Sequence, residues 1–148
     1  MKHGKVLLIR KKRGLGAGKI NGPGGKIDPG ETALASAVRE TFEELCVTPL
    51  HVRQTGELFF EFQDGLRLHG AIFLADDFSG TPTETAEAVP LWTAVDAIPY
   101  DDMWADDRYW LPLLLAGAKF RGAFVFEGDR LLARRVERLA DETEFVSC

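Results

Sequence analysis

Glu40, Glu43 and Glu44 fall within five residues, and Arg39 adjoins them. They lie in the run Gly25 to Val47, GKIDPGETALASAVRETFEELCV, which also holds Glu31. On a helix over residues 34–45 turning by about 100° per residue, the three glutamates gather on one side. Leu34, Val38, Thr41, Phe42 and Leu45 gather on the other. The spacing predicts one face for packing and one for function. Like charges at i and i+4 destabilise a helix by roughly a few tenths of a kcal/mol, so a cation on that face offsets their repulsion. All-oxygen ligands select a hard ion, Mg2+ or Mn2+ rather than zinc. Taken alone, the carboxylates favour a solvated helix face; their spacing within their surroundings decides for the cation.

Those surroundings are a strand, a glycine-rich loop and the helix, in that order. Val6 to Ile9 reads as a buried strand with basic flanks, Arg10 to Arg13. Few residues precede it, so a sheet built on this strand is expected to have its N-terminal neighbour missing or shortened. Gly14 to Gly25 contains six glycines in twelve residues, which calls for tight turns or close approach of the backbone to something else. The loop fits neither a P-loop nor a dinucleotide fingerprint: Lys19 stands at the sixth position of G-x-G-x-x-G, and neither Lys19 nor Lys26 precedes Ser or Thr. After the helix, residues 51–62 read as a strand or bent pair, Asp64-Gly65 as a hairpin turn, and residues 66–75 as the partner strand. Phe60 and Phe62 alternate onto one sheet face, as core or as pocket wall. Residues 76–87 read as a polar loop carrying Glu84 and Glu87. Residues 89–95 read as a strand, at an edge or irregular at its start because of Pro90. Residues 99–112, dense in aromatics and aspartates, with the apolar tail 111–118 suit a second helix that has acids at its start, kinked or starting late because of Pro112. Residues 120–127 and 130–138 make a final hairpin around Gly128-Asp129, and the last ten residues read as a polar tail. The sum is an α+β layout with a mixed sheet.

A chain of 148 residues with 45% apolar content suits a single domain with its own core. Its net charge of -5 argues against a surface for duplex nucleic acid, which needs a basic patch. A small anionic substrate remains compatible once a divalent cation reverses the local sign. Cys46 and Cys148 give no disulfide framework, and His3, His51 and His69 lack zinc spacing. No apolar run approaches the roughly 20 residues that span a bilayer, and no signal peptide is evident. The expectation is a cytoplasmic protein without a membrane partner.

The order Gly25, five residues, Glu31, seven residues, Arg39-Glu40, two residues, Glu43-Glu44 resembles the Nudix box, the signature of hydrolases acting on nucleoside diphosphates linked to another moiety. Two positions depart from the pattern. Thr41 stands where an aliphatic residue is usual, and Cys46 where a glycine permits a left-handed helix end. Cys46 is therefore expected to be strained, or the helix to end differently, with Pro49 limiting any extension. Outside the box the resemblance narrows to the MutT-type 8-oxo-dGTP diphosphatases, which sanitise oxidised purine nucleotides. It rests on Lys11-Lys12-Arg13-Gly14, Gly16-Ala17-Gly18, Asn21-Gly22, Gly24-Gly25-Lys26, Phe60-Glu61-Phe62, Gly80-Thr81-Pro82, Asp102-Met103-Trp104, Asp106-Asp107 and Tyr109-Trp110. The animal form of that enzyme is similar from Val6 to about Glu137.

The resemblance implies a Nudix fold, an α/β/α sandwich with a catalytic loop-helix and a second helix near the C-terminus. It implies Mg2+ (Mn2+ as an alternative) on Glu40, Glu43, Glu44 and the carbonyl of Gly24 or Gly25. Glu44 is the first choice for general base and Glu87 the second, Arg39 and Glu31 form an orienting ion pair, and Lys11 meets phosphate. Asn21, Asp106 and Asp107 hydrogen-bond the base, Trp104 stacks on it, and Phe60 and Phe62 belong to the substrate site. Two buried neighbouring aspartates cannot easily both ionise, so one is expected to hold a proton and to let the site accept more than one oxidised purine. Leu15 and Ala88 stand where the animal enzyme has larger pocket residues, which leaves the substrate less fixed than the reaction. The alternatives are another modified nucleotide, a nucleotide sugar, or a catalytically silent nucleotide sensor. The short N-terminal edge leaves a monomer or a strand-paired dimer open.

Overall fold

The computed structural model describes residues 1–25 and 27–145; Lys26 and Cys148 lie outside them. Strand β1 (Lys5–Lys11) is followed by β2 (Ile20–Asn21), helix α1 (Ala33–Leu45), β3 (Thr48–Leu50), β4 (Arg53–Phe62), β5 (Arg67–Leu74), β6 (Asp77–Ser79) and β7 (Ala88–Ala94). A 3-10 turn (Tyr100–Asp102), helix α2 (Asp107–Leu115), β8 (Lys119–Glu127) and β9 (Arg130–Leu139) complete the order. Among the described residues these elements form two units: 1–53 with 75–104, and 54–74 with 105–145. Among the described residues no helix is long and apolar enough to cross a membrane.

In the first unit β1 is the middle strand of an antiparallel sheet ordered β2-β1-β7. Its register with β7 runs from Lys5 opposite Ala94 to Lys11 opposite Ala88. The central position explains why Leu8 and Ile9 are both buried although they point to opposite faces. Pro90 sits on the edge strand, where its missing N–H costs no ladder bond. Ile9, Leu45, Val47 and Ala88 form a core against which Leu7 and Phe78 pack. Residues 76–87, read from sequence as a loop, contain β6, which pairs antiparallel with β3 through Thr48 opposite Ser79 and Leu50 opposite Asp77. Three residues are too few for a legible alternation.

Helix α1 starts where Thr32 Oγ1 accepts the amide of Ala35 at 3.1 Å. Its packing face differs from the expected one. Leu34 and Phe42 are 44% and 55% exposed, whereas Ser36, Thr41, Glu44 and Leu45 are buried. The buried stripe is turned by roughly one residue position, about 100°, so that it takes in Glu44. The helix ends on Cys46 in the left-handed region (φ 63°, ψ 25°), its amide donating to Phe42 O at 2.8 Å. Cysteine thus adopts the glycine conformation at the steric cost of its Cβ. Cys46→Gly is expected to raise stability by about 0.5–1 kcal/mol, net of the added backbone entropy of the unfolded chain, read as a higher urea midpoint at unchanged m-value.

In the second unit the sheet is mixed, ordered β5-β4-β8-β9, with β4 parallel to β8 and β8 antiparallel to β9 across a bulge at Val125/Phe126. Phe60 stacks on Phe124 (centroids 5.7 Å) and Phe62 on Phe126 (5.6 Å). Trp110 of α2 stacks on Phe120 at 5.5 Å. Gly56 leaves room for this: a Cβ there would lie 2.3 Å from the Phe120 ring. Helix α2 begins at Asp107, ahead of Pro112 rather than at it. Pro112 is exposed, so the hydrogen bond it withholds is given up on the solvent side.

Candidate active site

In the first unit the glycine-rich loop closes on β1: Gly18 N donates to Lys11 O at 2.8 Å and Lys11 N to Lys19 O at 3.0 Å. Lys11 Nζ donates to Leu15 O at 2.9 Å, so this cation sits at the loop's neck. Gly16 has φ +81°, and a Cβ there would lie 2.7 Å from Trp104 Nε1. Only a glycine brings the backbone that close to the indole. Lys19 Nζ lies 5.2 Å from the centre of the same ring. Asn21 ends β2 opposite Ile9 and is half-buried.

On α1, Arg39 organises the acids. Its Nε and Nη2 donate to the two Glu31 oxygens at 2.8 and 3.0 Å, a bidentate fork. Nη1 reaches Glu40 Oε1 at 2.8 Å and Glu43 Oε2 at 3.2 Å, and Asp28 Oδ2 lies 3.4 Å from Nη2. The guanidinium holds the Glu31 carboxyl down to about 2, helped by the amide of Asp28, and the carboxylates in turn raise the Arg39 pKa. Gly25 lies close beside this cluster: a Cβ there would lie 2.4 Å from the Glu40 carboxyl carbon and displace it from Arg39.

Glu44 is set apart from its neighbours. It is 4% exposed and accepts the amide of Gly24 at 2.7 Å. Burial pushes its carboxyl up to about 7; the Gly24 amide opposes the rise and the charge of Glu40 adds to it. Glu87 pairs with Arg13, which holds its carboxyl below the usual range, and Lys12 pairs with Glu84. Among the described residues no three acids converge at metal-ligand spacing, because Arg39 draws Glu40 and Glu43 while the Gly24 amide draws Glu44. The donor set nevertheless fits a hard divalent cation: every ligating atom is oxygen, and a desolvated carboxyl beside Glu40 is the group a dication would return to its charged form.

In the second unit Asp106 and Asp107 are 2% and 6% exposed. Trp110 Nε1 donates to Asp106 Oδ2 at 2.8 Å. Burial raises both carboxyls, and Asp107, beside the charge of Asp106, is pushed up to about 9. Two such neighbouring carboxyls cannot easily both ionise, so the pair holds a proton at neutral pH that can be donated, while Asp106 receives from the indole. Phe60 and Phe62 are half-buried on the face that carries Phe124 and Phe126. Of the anticipated site residues, Lys11, Asn21, Gly24, Arg39, Glu40, Glu43, Glu44, Glu87 and Trp104 belong to the first unit. Phe60, Phe62, Asp106 and Asp107 belong to the second. Sequence reasoning missed the Trp110 bond to Asp106, although the i, i+4 spacing on one helix makes it legible. It also missed Asp28 beside Arg39.

The model of the NUDIX domain matches residues 1–114. The oxidized purine nucleoside triphosphate hydrolase of Danio rerio is 44% identical over 142 residues, covering 95% of this chain and 89% of its own. The protein of the same name from Mus musculus is 49% identical over 126 residues, covering 83% and 80%. Among solved structures, the MutT protein of Bacillus halodurans superposes with a TM-score of 0.83 at 26% identity, over 93% of this chain and 92% of that one.

Proposed function

The chain belongs to the Nudix family and is a Nudix hydrolase with the Nudix fold, and from that premise we propose that it hydrolyses oxidised purine nucleoside triphosphates of the 8-oxo-dGTP type to the monophosphate and pyrophosphate. The relatives named oxidized purine nucleoside triphosphate hydrolase, aligned over most of the chain, support this reading. The observation that carries the substrate class is the buried Asp106-Asp107 pair, which presents an acceptor and a proton donor side by side. A normal and an oxidised purine differ in just that pattern of donors and acceptors.

Nudix hydrolases generally need a divalent cation; here Mg2+, or Mn2+ in its place, would be held by Glu40, Glu43, Glu44 and the Gly24 carbonyl. When bound, it supplies neutralisation of the phosphates and acidification of water. Glu44 takes the proton of the attacking water, whose oxygen forms a bond to a phosphorus of the bridge as the bridging P–O bond breaks toward pyrophosphate. Burial raises this carboxyl in the cation-free protein, and it returns to the charged form that a base requires once a dication is bound. Glu87 is the second acid facing this chemistry. Lys11, at the neck of the glycine-rich loop, meets phosphate, and the Arg39–Glu31 fork holds the orientation of Glu40 and Glu43. Asn21 and the aspartate pair read the base, Trp104 stacks on it, and Phe60 and Phe62 line its site. The chain is a single Nudix hydrolase domain in a cytoplasmic nucleotide-pool enzyme, working as a monomer or a strand-paired dimer on free nucleotides.

Supplying 8-oxo-dGTP and dGTP at equal concentration tests the substrate class. The expected result is consumption of 8-oxo-dGTP with a kcat/KM at least about tenfold higher, the equivalent of one well-made polar contact. Equal consumption, or turnover confined to a nucleotide sugar such as ADP-ribose, would overturn it.

A further inference from the structure

Between β6 and β7 the chain passes along the C-terminal end of α1, where the last carbonyls of a helix need partners from outside it. Gly80 comes close enough that a Cβ would lie 2.7 Å from Cys46 O. Thr83 N donates to Leu45 O at 2.9 Å. The Thr85 hydroxyl donates to Glu44 O at 2.8 Å, and Thr85 Oγ1 itself accepts the amide of Glu87 at 3.1 Å. The backbone of this segment is held on both sides of Glu87, because Thr85 N donates to Ala88 O at 3.0 Å and Lys12 N to Glu87 O at 2.9 Å. A hydroxyl carries one proton and two lone pairs; here the proton serves the main chain of Glu44 and a lone pair that of Glu87. Thr85, 41 positions from Glu44 in sequence, thereby joins it to Glu87 through one oxygen.

We propose that Thr85 is a positioning residue that sets the separation of Glu44 and Glu87, so that both carboxylates address one phosphate bridge. This rests on the assignment of those two acids as working groups. Thr85 need touch neither substrate nor cation. If the segment were fastened only for stability, its removal would lower the melting temperature and leave the turnover of folded enzyme unchanged. A positioning role predicts loss of turnover in enzyme that remains folded, because displacement by about 1 Å can cost on the order of a hundredfold.

The test compares Thr85→Val, Thr85→Ala and Thr85→Ser, the valine also combined with Glu87→Gln. Both hydroxyl-free variants are expected to lose about 10- to 100-fold in kcat at a KM within about threefold of the parent, and Thr85→Ser to stay within about threefold. Thr85→Val/Glu87→Gln is expected to be no more than about twofold slower than Glu87→Gln alone, since the two changes remove one arrangement. Exchange of the Glu87 amide should accelerate by at least about tenfold without the hydroxyl and remain slow in Thr85→Ser. Wild-type kcat in both hydroxyl-free variants, a serine variant as slow as the valine one, full multiplication of the two losses, or a silent Glu87→Gln would each overturn the proposal. Rates are taken on 8-oxo-dGTP and on dGTP as ratios to the parent enzyme. A parent that prefers dGTP defeats the substrate reading while these ratios remain readable.

Discussion

Exchanging Glu44 for glutamine is expected to lower kcat by about two to four orders of magnitude, the range a positioned general base contributes, with KM for the nucleotide moving far less. Glutamine keeps the size and can still accept the Gly24 amide seen at 2.7 Å, so the glycine-rich turn should survive. What disappears is a site for the water's proton and an oxygen ligand. The same variant tests why this carboxyl is costly to bury. In cation-free protein its pKa is raised from 4.5 to about 7. The native state then holds the proton more tightly than the unfolded one, so the stabilisation is complete below pH 4.5. It is lost as pH rises through about 7. Above that pH the parent protein carries a buried charge that Glu44→Gln lacks, and the variant should be more stable by an amount on the order of 3 kcal/mol. Saturating Mg2+ should narrow the gap by binding the charged form. Urea titrations at pH 5 and pH 8, with and without Mg2+, check this. A variant that retains at least a tenth of parental turnover, or that gains no stability at pH 8, would remove Glu44 from the role of buried base.

The acids themselves were legible because spacing alone brings Glu40, Glu43 and Glu44 to one side of a helix and Arg39 next to Glu40. The fork from Arg39 to Glu31 follows from that box pattern and is present in the structure. The burial of Glu44 was not legible. Local periodicity reports where apolar residues lie, whereas Glu44 is enclosed through a bond to Gly24, twenty residues away in sequence. The same limit explains Leu34 and Phe42, apolar residues on the periodic stripe that nevertheless remain exposed. Strand β1, the edge position of β7 and the last hairpin were readable because burial on both faces, an inopportune proline and a Gly-Asp turn are local signals. Strand β6 exists only through its pairing with β3, and no three-residue stretch announces such a partner. Cys46 shows a third case. The sequence poses strain or a different ending as alternatives, and the backbone takes the first, a left-handed residue with its cap bond made.

Exchanging Asp107 for asparagine should reduce kcat/KM for 8-oxo-dGTP by about 10- to 100-fold, as loss of one buried hydrogen bond to a polar base edge would, and should shrink its preference over dGTP. The protonated carboxyl of Asp107 offers one O–H donor and an acceptor, and through its neighbour Asp106 the proton can change partners. An amide of the same shape has fixed donor and acceptor ends and cannot exchange them. The variant is therefore expected to discriminate more sharply among oxidised purines: one tautomeric pattern is served and another refused. 8-oxo-dGTP and 2-hydroxy-dATP, which differ in that pattern, should diverge in kcat/KM relative to the parent. The pH dependence of stability supplies a second readout. Because burial raises the Asp107 pKa from 3.8 to about 9, its stabilisation is complete below pH 3.8 and is lost as pH rises through about 9. Asp107→Asn has no such proton to lose, so its melting temperature should fall less between pH 7 and pH 9.5 than that of the parent. Near-ultraviolet circular dichroism melts across that range measure this directly, with Trp110 on Asp106 as a local reporter. Unchanged selectivity together with an unchanged alkaline limb would mean that Asp107 is ionised and outside the base site. The reading of oxidised purines would then fall to Asn21 and Trp104 alone.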